Sequence, residues 1–387
     1  MRPRAITPPL GWLQLRHRPL RLAVAVAGIS FAVLLIMMQL GFRAALFDSA
    51  VRFHERLNYD LALFSTDSVF IVRPQEFSIR RLYQALGDLE VADVMPVYIA
   101  PALWRNPWTD ERRTINAIGF DPQHAILKTT GFESVRLRAA QRDAVIFDAL
   151  GRPEFGPVGD TLRSGSGLST EINERRMDLV GLFEMGPSFG IDGTIMTSDD
   201  NWLRMFPQAS RQRIHLGLVL LAEGADPSIV RSRLEAQLPK DVLVLTRGQF
   251  VEREKTYWRA TTPIGYIFAF GAIMGFVVGA IIVYQILFAD VSEHLNEYAT
   301  MRALGFSNGF VSGIVLQQAG ILAVLGYIPG MVLAHFLYGT AADATRLPLY
   351  IEPERAAIVF AMTVVMCAGS ALLAIRKVRR LDPADVF

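Results

Sequence analysis

Four long stretches without charged side chains set the main limit on how this chain can fold. A helix needs about 20 residues to cross a hydrocarbon core of roughly 30 Å. A charged side chain near the bilayer centre costs about 2.5–3.5 kcal/mol on insertion scales, so membrane-crossing helices avoid it. The sequence therefore predicts four transmembrane helices. The stretches that lack Asp, Glu, Lys and Arg are Leu22–Phe42, Pro263–Ala289, Phe310–Ala342 and Ala356–Ile375.

The composition fits a protein that is only partly embedded in a membrane. Hydrophobic residues make up 51% of the 387 residues, and the mean hydropathy is +0.30. The first apolar stretch is longer than the usual apolar core of a signal peptide, about 7–15 residues, and no clear cleavage site follows it. We therefore expect a retained helix. The single cysteine, Cys367, lies in the fourth stretch, so the remaining domain is expected to fold without a disulfide.

Basic residues at both ends of the chain predict the orientation. Cytoplasmic segments beside membrane helices are enriched in Lys and Arg, and an even number of helices places both ends on one side. We therefore expect a multi-pass protein of the bacterial inner membrane with both termini in the cytoplasm. The residues that carry this prediction are Arg2, Arg4, Arg16, Arg18 and Arg21 before the first helix, and Arg376, Lys377, Arg379 and Arg380 after the last.

A large domain is predicted between the first two membrane helices, where about 220 residues lie outside the apolar stretches. Short apolar runs alternate with turn residues, which predicts an α-helical membrane protein with a mixed α+β extracytoplasmic (periplasmic) domain. The predicted order is a cytoplasmic segment (1–21), the first transmembrane helix (22–42), the periplasmic domain (43–262), the second (263–289), a cytoplasmic coupling segment (290–309), the third (310–339), a periplasmic loop (340–355), the fourth (356–375) and a cytoplasmic tail (376–387).

Within the periplasmic domain, each end is predicted to form a strand–helix–strand unit. The first has strands at Asp60–Phe64 and Val91–Ile99, and the second begins with a strand at Ile214–Leu221. In the second unit, Asp226 followed by Pro227 is a strong signal for a helix start. The middle, about 121–212, is rich in Gly, Pro and Ser, and we expect it to be an inserted, mostly β subdomain.

The sequence contains no recognisable catalytic, nucleotide-binding or metal-binding motif. None of its four lysines follows a glycine-rich phosphate loop, and its six histidines lack the spacing of a zinc site. We expect a non-catalytic protein without a metal or cofactor of its own. The net charge of +2 gives no sign of a nucleic-acid partner.

Glycines at spacing four predict close helix packing in the second and third apolar stretches. A helix face formed by glycines lets another helix backbone approach closely in the lipid bilayer, where the hydrophobic effect does not drive helices together. For the second stretch, a dimer interface and a contact within one subunit remain equally open, and in the third stretch a kink is expected at the proline. The predicted packing residues are Gly271, Gly275, Gly279, Gly326, Pro329 and Gly330.

Four glutamines and one histidine lie within the apolar stretches, namely Gln39, Gln285, Gln317, Gln318 and His335. Hydrogen bonds between membrane helices average only about 0.6 kcal/mol, so a few amides act as mild glue between helices. Because no Asp, Glu, Lys or Arg lies inside these stretches, transport driven by protons or ions is disfavoured.

The segment that follows the second apolar stretch differs from an ordinary loop. In Asp290–Gly305, Val291, Leu295, Tyr298 and Met301 recur at helical spacing, and Gly305 is a natural stop. The segment carries little positive charge for lying on lipid, so an amphipathic helix that docks on a cytoplasmic partner is the better interpretation.

These residues resemble a known family. Glu297–Phe306 (EYATMRALGF) resembles the coupling segment of the FtsX/MacB-like superfamily of ABC permeases, and the match is closer to the Dev-type (DevC-like) permeases of the cyanobacterial glycolipid exporter. The resemblance covers nearly the whole chain. Its other supporting stretches are Met38–Ala50, Arg81–Gly87, Glu154–Pro157, Thr170–Asn173, Gly265–Asp290, Leu322–Gly330 and Asp382–Phe387.

The resemblance implies a homodimeric permease in the lipid bilayer that docks a separate ATPase subunit, which would hold ATP and Mg. It also implies a periplasmic membrane-fusion adaptor protein and an outer-membrane channel. By position, the ATPase-coupling residues would be Glu293, Glu297, Tyr298, Met301, Arg302, Leu304 and Gly305. The function expected is export of a lipid-like or amphiphilic substrate. The alternatives are an FtsX-like signaller that controls a cell-wall hydrolase and a lipoprotein-releasing permease.

Overall fold

The computed structural model describes residues 10–261 and 263–379 and divides the chain into two compact units. The helical unit comprises residues 10–44, Ile264–Ala342 and 349–379. The globular unit comprises Ala45–Pro263 together with Asp343–Pro348. The described residues do not include 1–9 and 380–387, which belong to the predicted cytoplasmic segments at the two ends of the chain. They also do not include Thr262 at the predicted domain boundary.

Four helices of the described chain are long and apolar enough to cross a membrane, which confirms the predicted number. They are α2 (Pro19–Arg56), α9 (Ile264–Glu293), α11 (Asn308–Thr345) and α12 (Pro353–Arg379). Two shorter helices accompany them, α1 (Leu10–His17) and α10 (Leu295–Ala303).

The long helices extend beyond the predicted membrane stretches because charged residues end an apolar run without ending a helix. The third helix illustrates this, since α11 continues through residues 340–345 of the predicted periplasmic loop. The alanines at 341, 342 and 344 are strong helix formers that continue α11 to Thr345. Arg346 then adopts φ +56°, a left-handed conformation that ends a helix.

The globular unit is built on one nine-stranded sheet, with the strand order β11-β1-β10-β3-β4-β8-β5-β7-β6. The strands of this sheet are β1 (Leu61–Ser65), β3 (Val91–Arg105), β4 (Arg112–Phe120), β5 (Ala144–Asp148), β6 (Leu168–Ile172), β7 (Arg175–Phe183), β8 (Thr194–Ser198), β10 (Leu216–Leu221) and β11 (Val242–Thr246). A second, two-stranded sheet pairs β2 (Phe77–Ser78) with β9 (Arg213–Ile214). The short helices are α3 (Arg80–Ala85), α4 (Phe132–Val135), α5 (Val158–Arg163), α6 (Asp199–Met205), α7 (Pro227–Gln237) and α8 (Arg247–Ala260).

Both faces of the sheet are covered, so successive residues of its inner strands enter different cores. In β1, Leu61 and Leu63 join one apolar cluster, whereas Ala62 and Phe64 join the other. The first cluster includes residues of α3, α6 and α7. The second includes Phe53 from the end of α2 and Phe250 from α8. A strand that is buried on both sides reads as a continuous apolar run, which β1 does.

The middle of the domain extends the same sheet. Strand β4 pairs with β8 in parallel, and β5 pairs with β7 in parallel, while β6 returns to β3 through the bridge between Trp104 and Ile172. Six strands, β3-β4-β8-β5-β7-β6, therefore close into a ring. Because β3 and β4 precede the segment 121–212, that segment shares its sheet with the earlier part of the chain.

Helix α7 begins where the sequence predicts. The Asp226 carboxylate accepts a hydrogen bond of 2.7 Å from the Ser228 backbone N–H, and Pro227 occupies the first turn. We expect Asp226→Ala to cost about 1 kcal/mol of helix stability, because a backbone donor loses its acceptor. Hydrogen exchange measures this loss, because the backbone amides of α7 should exchange roughly fivefold faster in the variant than in wild type. Ser228→Ala keeps the backbone donor and serves as the control, which should exchange at the wild-type rate.

Candidate functional site

The segment after α9 forms the predicted short helix, although it is divided. Helix α9 continues to Glu293, the helical conformation is interrupted at His294, and α10 then extends to Ala303. At its end the Phe306 N–H donates to the Met301 carbonyl over 3.1 Å, and Gly305 has φ +92°. This left-handed glycine is the stop that the sequence predicts.

Helix α10 has a buried face and an exposed face. Tyr298 is fully buried and Ala299 almost so, while Glu297 is exposed and Leu304 is 74% exposed. Met301 and Arg302 are half-buried. The residues of the predicted apolar stripe therefore differ in exposure. Val291 and Tyr298 are fully buried, whereas Leu295 and Met301 are half-buried.

A buried polar cluster joins four helices of the helical unit, and we call it the Asp290 cluster. The Gln318 side-chain amide of α11 donates to the Asp290 carboxylate of α9 over 2.8 Å. It also donates to the side-chain oxygen of Gln14 in α1 over 3.0 Å. The Tyr298 hydroxyl of α10 lies 3.5 Å from the same Gln14 oxygen. Gln318 has no exposed surface and Asp290 is 5% exposed, so each of these bonds replaces water that the groups have lost.

Two further contacts tie α1 and the start of α2 to this region. The Gly11 N–H donates to the Gln317 side-chain oxygen over 3.1 Å. Just beyond α1, Arg21 donates to both carboxylate oxygens of Glu293 over 2.7 and 3.0 Å, and Arg18 pairs with the same carboxylate. The Glu293 side chain, predicted to couple to a partner, is thus engaged within the chain.

Sequence patterns do not point to a packing role for α1. Arg16, Arg18 and Arg21 are informative only for orientation, and Gln14 lies in the predicted cytoplasmic segment 1–21. The alternation of apolar and polar residues in 10–17 is too short to identify a packed helix. The Asp290 cluster depends on residues about 300 positions apart, which local patterns do not bring together.

The remaining predicted polar residues lie apart from the Asp290 cluster. Gln285 and His335 are exposed on α9 and α11, and Gln39 of α2 lies beside Gly271. These side chains do not converge with the cluster into one site.

The predicted packing glycines all contact α2, so both seams lie within the chain. A Cβ on Gly271 would lie 2.5 Å from Gln39, and one on Gly279 would lie 2.6 Å from Ala32. Gly275 faces Ile36 and Leu35. Of the two alternatives for this glycine face, the contacts seen here are those of a single subunit.

The third helix approaches α2 in the same way. A Cβ on Gly326 would overlap the Ile29 side chain, and one on Gly330 would lie 2.8 Å from the Ser30 carbonyl. The Ser30 hydroxyl donates to the Gly326 carbonyl over 2.9 Å. Pro329 lies inside α11, which is continuous from Asn308 to Thr345, and the bend expected there stays a prediction.

The globular unit contains a buried acid beside a buried histidine. The Glu254 carboxylate of α8 accepts hydrogen bonds from the Ile71 N–H over 3.1 Å and from the Trp258 indole over 3.0 Å. The His54 Nε2 lies 3.6 Å from it, and neither ring nitrogen of His54 has a hydrogen bond among the described residues. Burial raises the pKa of Glu254 to about 7, although the Trp258 and Ile71 hydrogen bonds act in the opposite direction.

This carboxyl predicts a pH dependence of stability. Its ordinary pKa is 4.5, so the folded protein binds this proton more tightly than the unfolded chain does. The contribution is complete below pH 4.5 and is lost as the pH rises to about 7. Glutamine stays neutral at both pH values, although its amide nitrogen cannot accept one of the two hydrogen bonds. We therefore expect the stability of Glu254→Gln relative to wild type to be higher at pH 8 than at pH 4.5, by on the order of 1–2 kcal/mol. Thermal unfolding at both pH values tests this, with Glu252→Gln on the exposed face of α8 as the control.

Among residues 10–261 and 263–379, no group of three or more His, Cys, Asp or Glu side chains is arranged to hold a metal ion. The Asp290 cluster contains one carboxylate, two amides and a phenol. This arrangement can fix helices relative to one another, and it offers no nucleophile with an adjacent base.

Four candidate membrane helices and an α+β domain inserted after the first of them define a multi-pass membrane protein, and comparison with known families gives its class. Residues 22–237 match the MacB-like periplasmic core domain, and residues 269–383 match the FtsX-like permease C-terminal domain. The chain belongs to the family of FtsX-like permeases that carry a MacB-like periplasmic core domain.

Similar proteins include two uncharacterized ABC transporter permeases of Mycobacterium tuberculosis, from strains CDC 1551 and H37Rv. Each is 21% identical over 243 residues, which cover 61% of this chain and 62% of the relative. The chain thus spans less than two thirds of the length of these relatives.

Two solved structures show similarity to the globular unit. The periplasmic region of MacB from Actinobacillus actinomycetemcomitans is 12% identical, with a TM-score of 0.34, and covers 52% of this chain and 94% of its own. The extracellular domain of the noncanonic ABC-type transporter YknZ from Gram-positive bacteria is 13% identical, with a TM-score of 0.33. This similarity covers 49% of this chain and 99% of the YknZ domain.

Proposed function

We propose that this chain is the permease subunit of an ABC exporter and that α10 is the surface on which a separate ATPase subunit docks. The observation that carries the proposal is that α10 is anchored on one face and exposed on the other. Tyr298 reaches the Asp290 cluster, while Glu297 and Leu304 face outward. A surface helix fixed in this way is suited to receiving movement from a partner and passing it to α1, α9 and α11.

In this proposal both termini lie in the cytoplasm and the globular unit lies in the periplasm. ATP and Mg are held by the partner ATPase. ATP binding there moves α10, and the movement reaches the globular unit through the chain segments that join the two units. The chain itself supplies no catalytic group to ATP hydrolysis.

The finer part of the proposal is a tripartite exporter. The globular unit would act as a homodimer with a membrane-fusion adaptor protein and an outer-membrane channel, and would expel a lipid-like or amphiphilic substrate, as in Dev-type exporters. One observation supports export over a purely regulatory role. The globular unit has a large sheet with two apolar cores, which is more than a short signalling element needs.

Charge reversal on α10 tests the coupling role. We expect Glu297→Arg to reduce export at least fivefold while the membrane level of the protein is unchanged, because an exposed side chain contributes little to folding. Arg302→Glu should act in the same direction. Asn296→Arg places the same positive charge at an exposed neighbouring position, which controls for charge alone. Export at the wild-type rate in both α10 variants would contradict the assignment.

Affinity purification of the tagged protein in mild detergent distinguishes the alternatives. Recovery of an ATPase with a periplasmic adaptor is the result expected for an exporter. Recovery of an ATPase with a cell-wall hydrolase, and no adaptor, would favour the FtsX-like signaller. Recovery of an ATPase with an outer-membrane lipoprotein would favour a lipoprotein-releasing permease.

A further inference from the structure

An apolar groove runs along the contact between α9 and α12 in the helical unit. Its volume is about 430 Å³. One wall is formed by α9 and the other by α12, at positions spaced three or four residues apart, so the groove follows both helices for about two turns. The residues that shape it are Phe276, Ala280, Tyr284, Val365, Gly369 and Leu373.

Small residues create the groove. The Ser370 hydroxyl donates to the Ala280 carbonyl over 2.8 Å, which holds the two helices together at the floor. A Cβ placed on Gly369 would meet no atom within 4 Å, so the floor is open above this glycine. On the rim, Val365 is 63% exposed and Leu373 is 50% exposed. In a bilayer such a groove is filled, since empty apolar space forfeits dispersion contacts on one side.

One end of the groove carries a positive charge. Arg376 is exposed and lies three residues beyond Leu373, on the same face of α12. The contacts of Gly279 with Met366 and of Ala280 with Ser370 fix the register of the two helices. In that register Arg376 lies near the level of Tyr284, whose phenol also lines the groove. Arginine and tyrosine are residues that anchor helices at the headgroup level of a membrane.

We propose that this groove binds one acyl chain of an anionic membrane phospholipid, with the lipid phosphate held at Arg376 and Tyr284. An arginine pairs with phosphate through several N–H donors, and basic sites between membrane helices bind anionic headgroups. A helix from a second copy of the chain fits the site less well. The carboxylates of α9 near this level are already engaged, Asp290 with Gln318 and Glu293 with Arg21, so a second copy of α9 offers no unpaired acid to Arg376.

The test measures lipid retained by the full-length protein. The protein is purified in a mild nonionic detergent after incubation with equal amounts of phosphatidylglycerol and phosphatidylcholine, and bound lipid is measured by native mass spectrometry. We expect wild type to retain phosphatidylglycerol over phosphatidylcholine. Gly369→Leu fills the floor and should reduce retained phosphatidylglycerol at least fivefold. Gly320→Leu is the matched control, because Gly320 is an exposed glycine of α11 whose Cβ would also meet no atom within 4 Å.

A second variant tests the headgroup contact separately. Arg376→Gln keeps the groove and should bring the two lipids to equal retention, whereas Arg346→Gln removes the same charge elsewhere and should leave the preference intact. Equal retention of phosphatidylglycerol by Gly369→Leu and Gly320→Leu would overturn the proposal. A lipid-free wild-type dimer that Gly369→Leu converts to a monomer would also overturn it and would assign the groove to a second copy. Neither result depends on the ATPase, so the proposed function is tested independently.

Discussion

Replacing Gly326 with leucine is expected to abolish the close packing of α11 on α2 and to destabilise the helical unit by more than about 3 kcal/mol. Even a Cβ at this position overlaps Ile29, which has no exposed surface and therefore has no free space into which to move. The separation of the two helices would also break the hydrogen bond from Ser30 to the Gly326 carbonyl. Reversible unfolding in mixed detergent micelles measures the loss directly.

The same helix supplies the control for this prediction. Gly320 lies six residues earlier in α11, is exposed, and its Cβ would meet nothing within 4 Å. Gly320→Leu therefore changes helix propensity and apolar volume by the same amount without a clash. We expect its unfolding free energy to remain within about 1 kcal/mol of wild type. Equal losses in the two variants would mean that the Gly326 contact does not limit stability.

The second large effect is expected at Gln318. Its amide donates to both the buried Asp290 carboxylate and the half-buried Gln14 oxygen, so leucine at this position leaves the carboxylate without this donor, while Gln14 keeps its contact with Tyr298. We expect Gln318→Leu to cost about 2–4 kcal/mol, since a buried carboxylate that loses its partner bears its full desolvation cost. Because the Asp290 cluster also holds Tyr298, we further expect α10 to exchange its amide hydrogens faster.

Gln285→Leu is the matched control for Gln318→Leu. Both glutamines lie in apolar helices, but Gln285 is exposed, so its replacement removes a polar group without stranding a buried one. The control should fold and retain the protection of α10. If the two variants show the same stability and exchange, the Asp290 cluster contributes nothing beyond ordinary helix packing.

Sequence reasoning found the helices because length and lack of charge act locally. The same is true of the Asp226 cap and the Gly305 stop, which depend on a few neighbouring residues. Sequence reasoning did not identify the helix that packs against the glycine faces. A glycine stripe has the same sequence whether it packs against a helix of its own chain or of a second copy, and only the contacts with Ala32 and Ile29 assign these glycines to α2.

The Asp290 cluster was missed for a different reason. Each of these residues has a plausible interpretation by itself: Gln14 as part of the cytoplasmic segment 1–21, Gln318 as glue between helices, and Asp290 as the start of the coupling segment. Their shared function arises from burial in one place, which periodicity does not report. The ring of six strands in the globular unit was equally hidden, since its closure rests on the long-range bridge from Trp104 to Ile172.

The dependence of both glycine seams on α2 has a consequence for biogenesis. Helix α2 leaves the ribosome before the other three long helices, and α9, the first of them, begins more than 200 residues later; at bacterial synthesis rates this is a delay of roughly 10–40 s. During that interval α2 is in the bilayer with Ser30 and Gln39 unshielded by protein. A chain that stalls before Ile264 therefore keeps two polar side chains of α2 without their helix partners, and a completed chain covers them as soon as the glycine faces close.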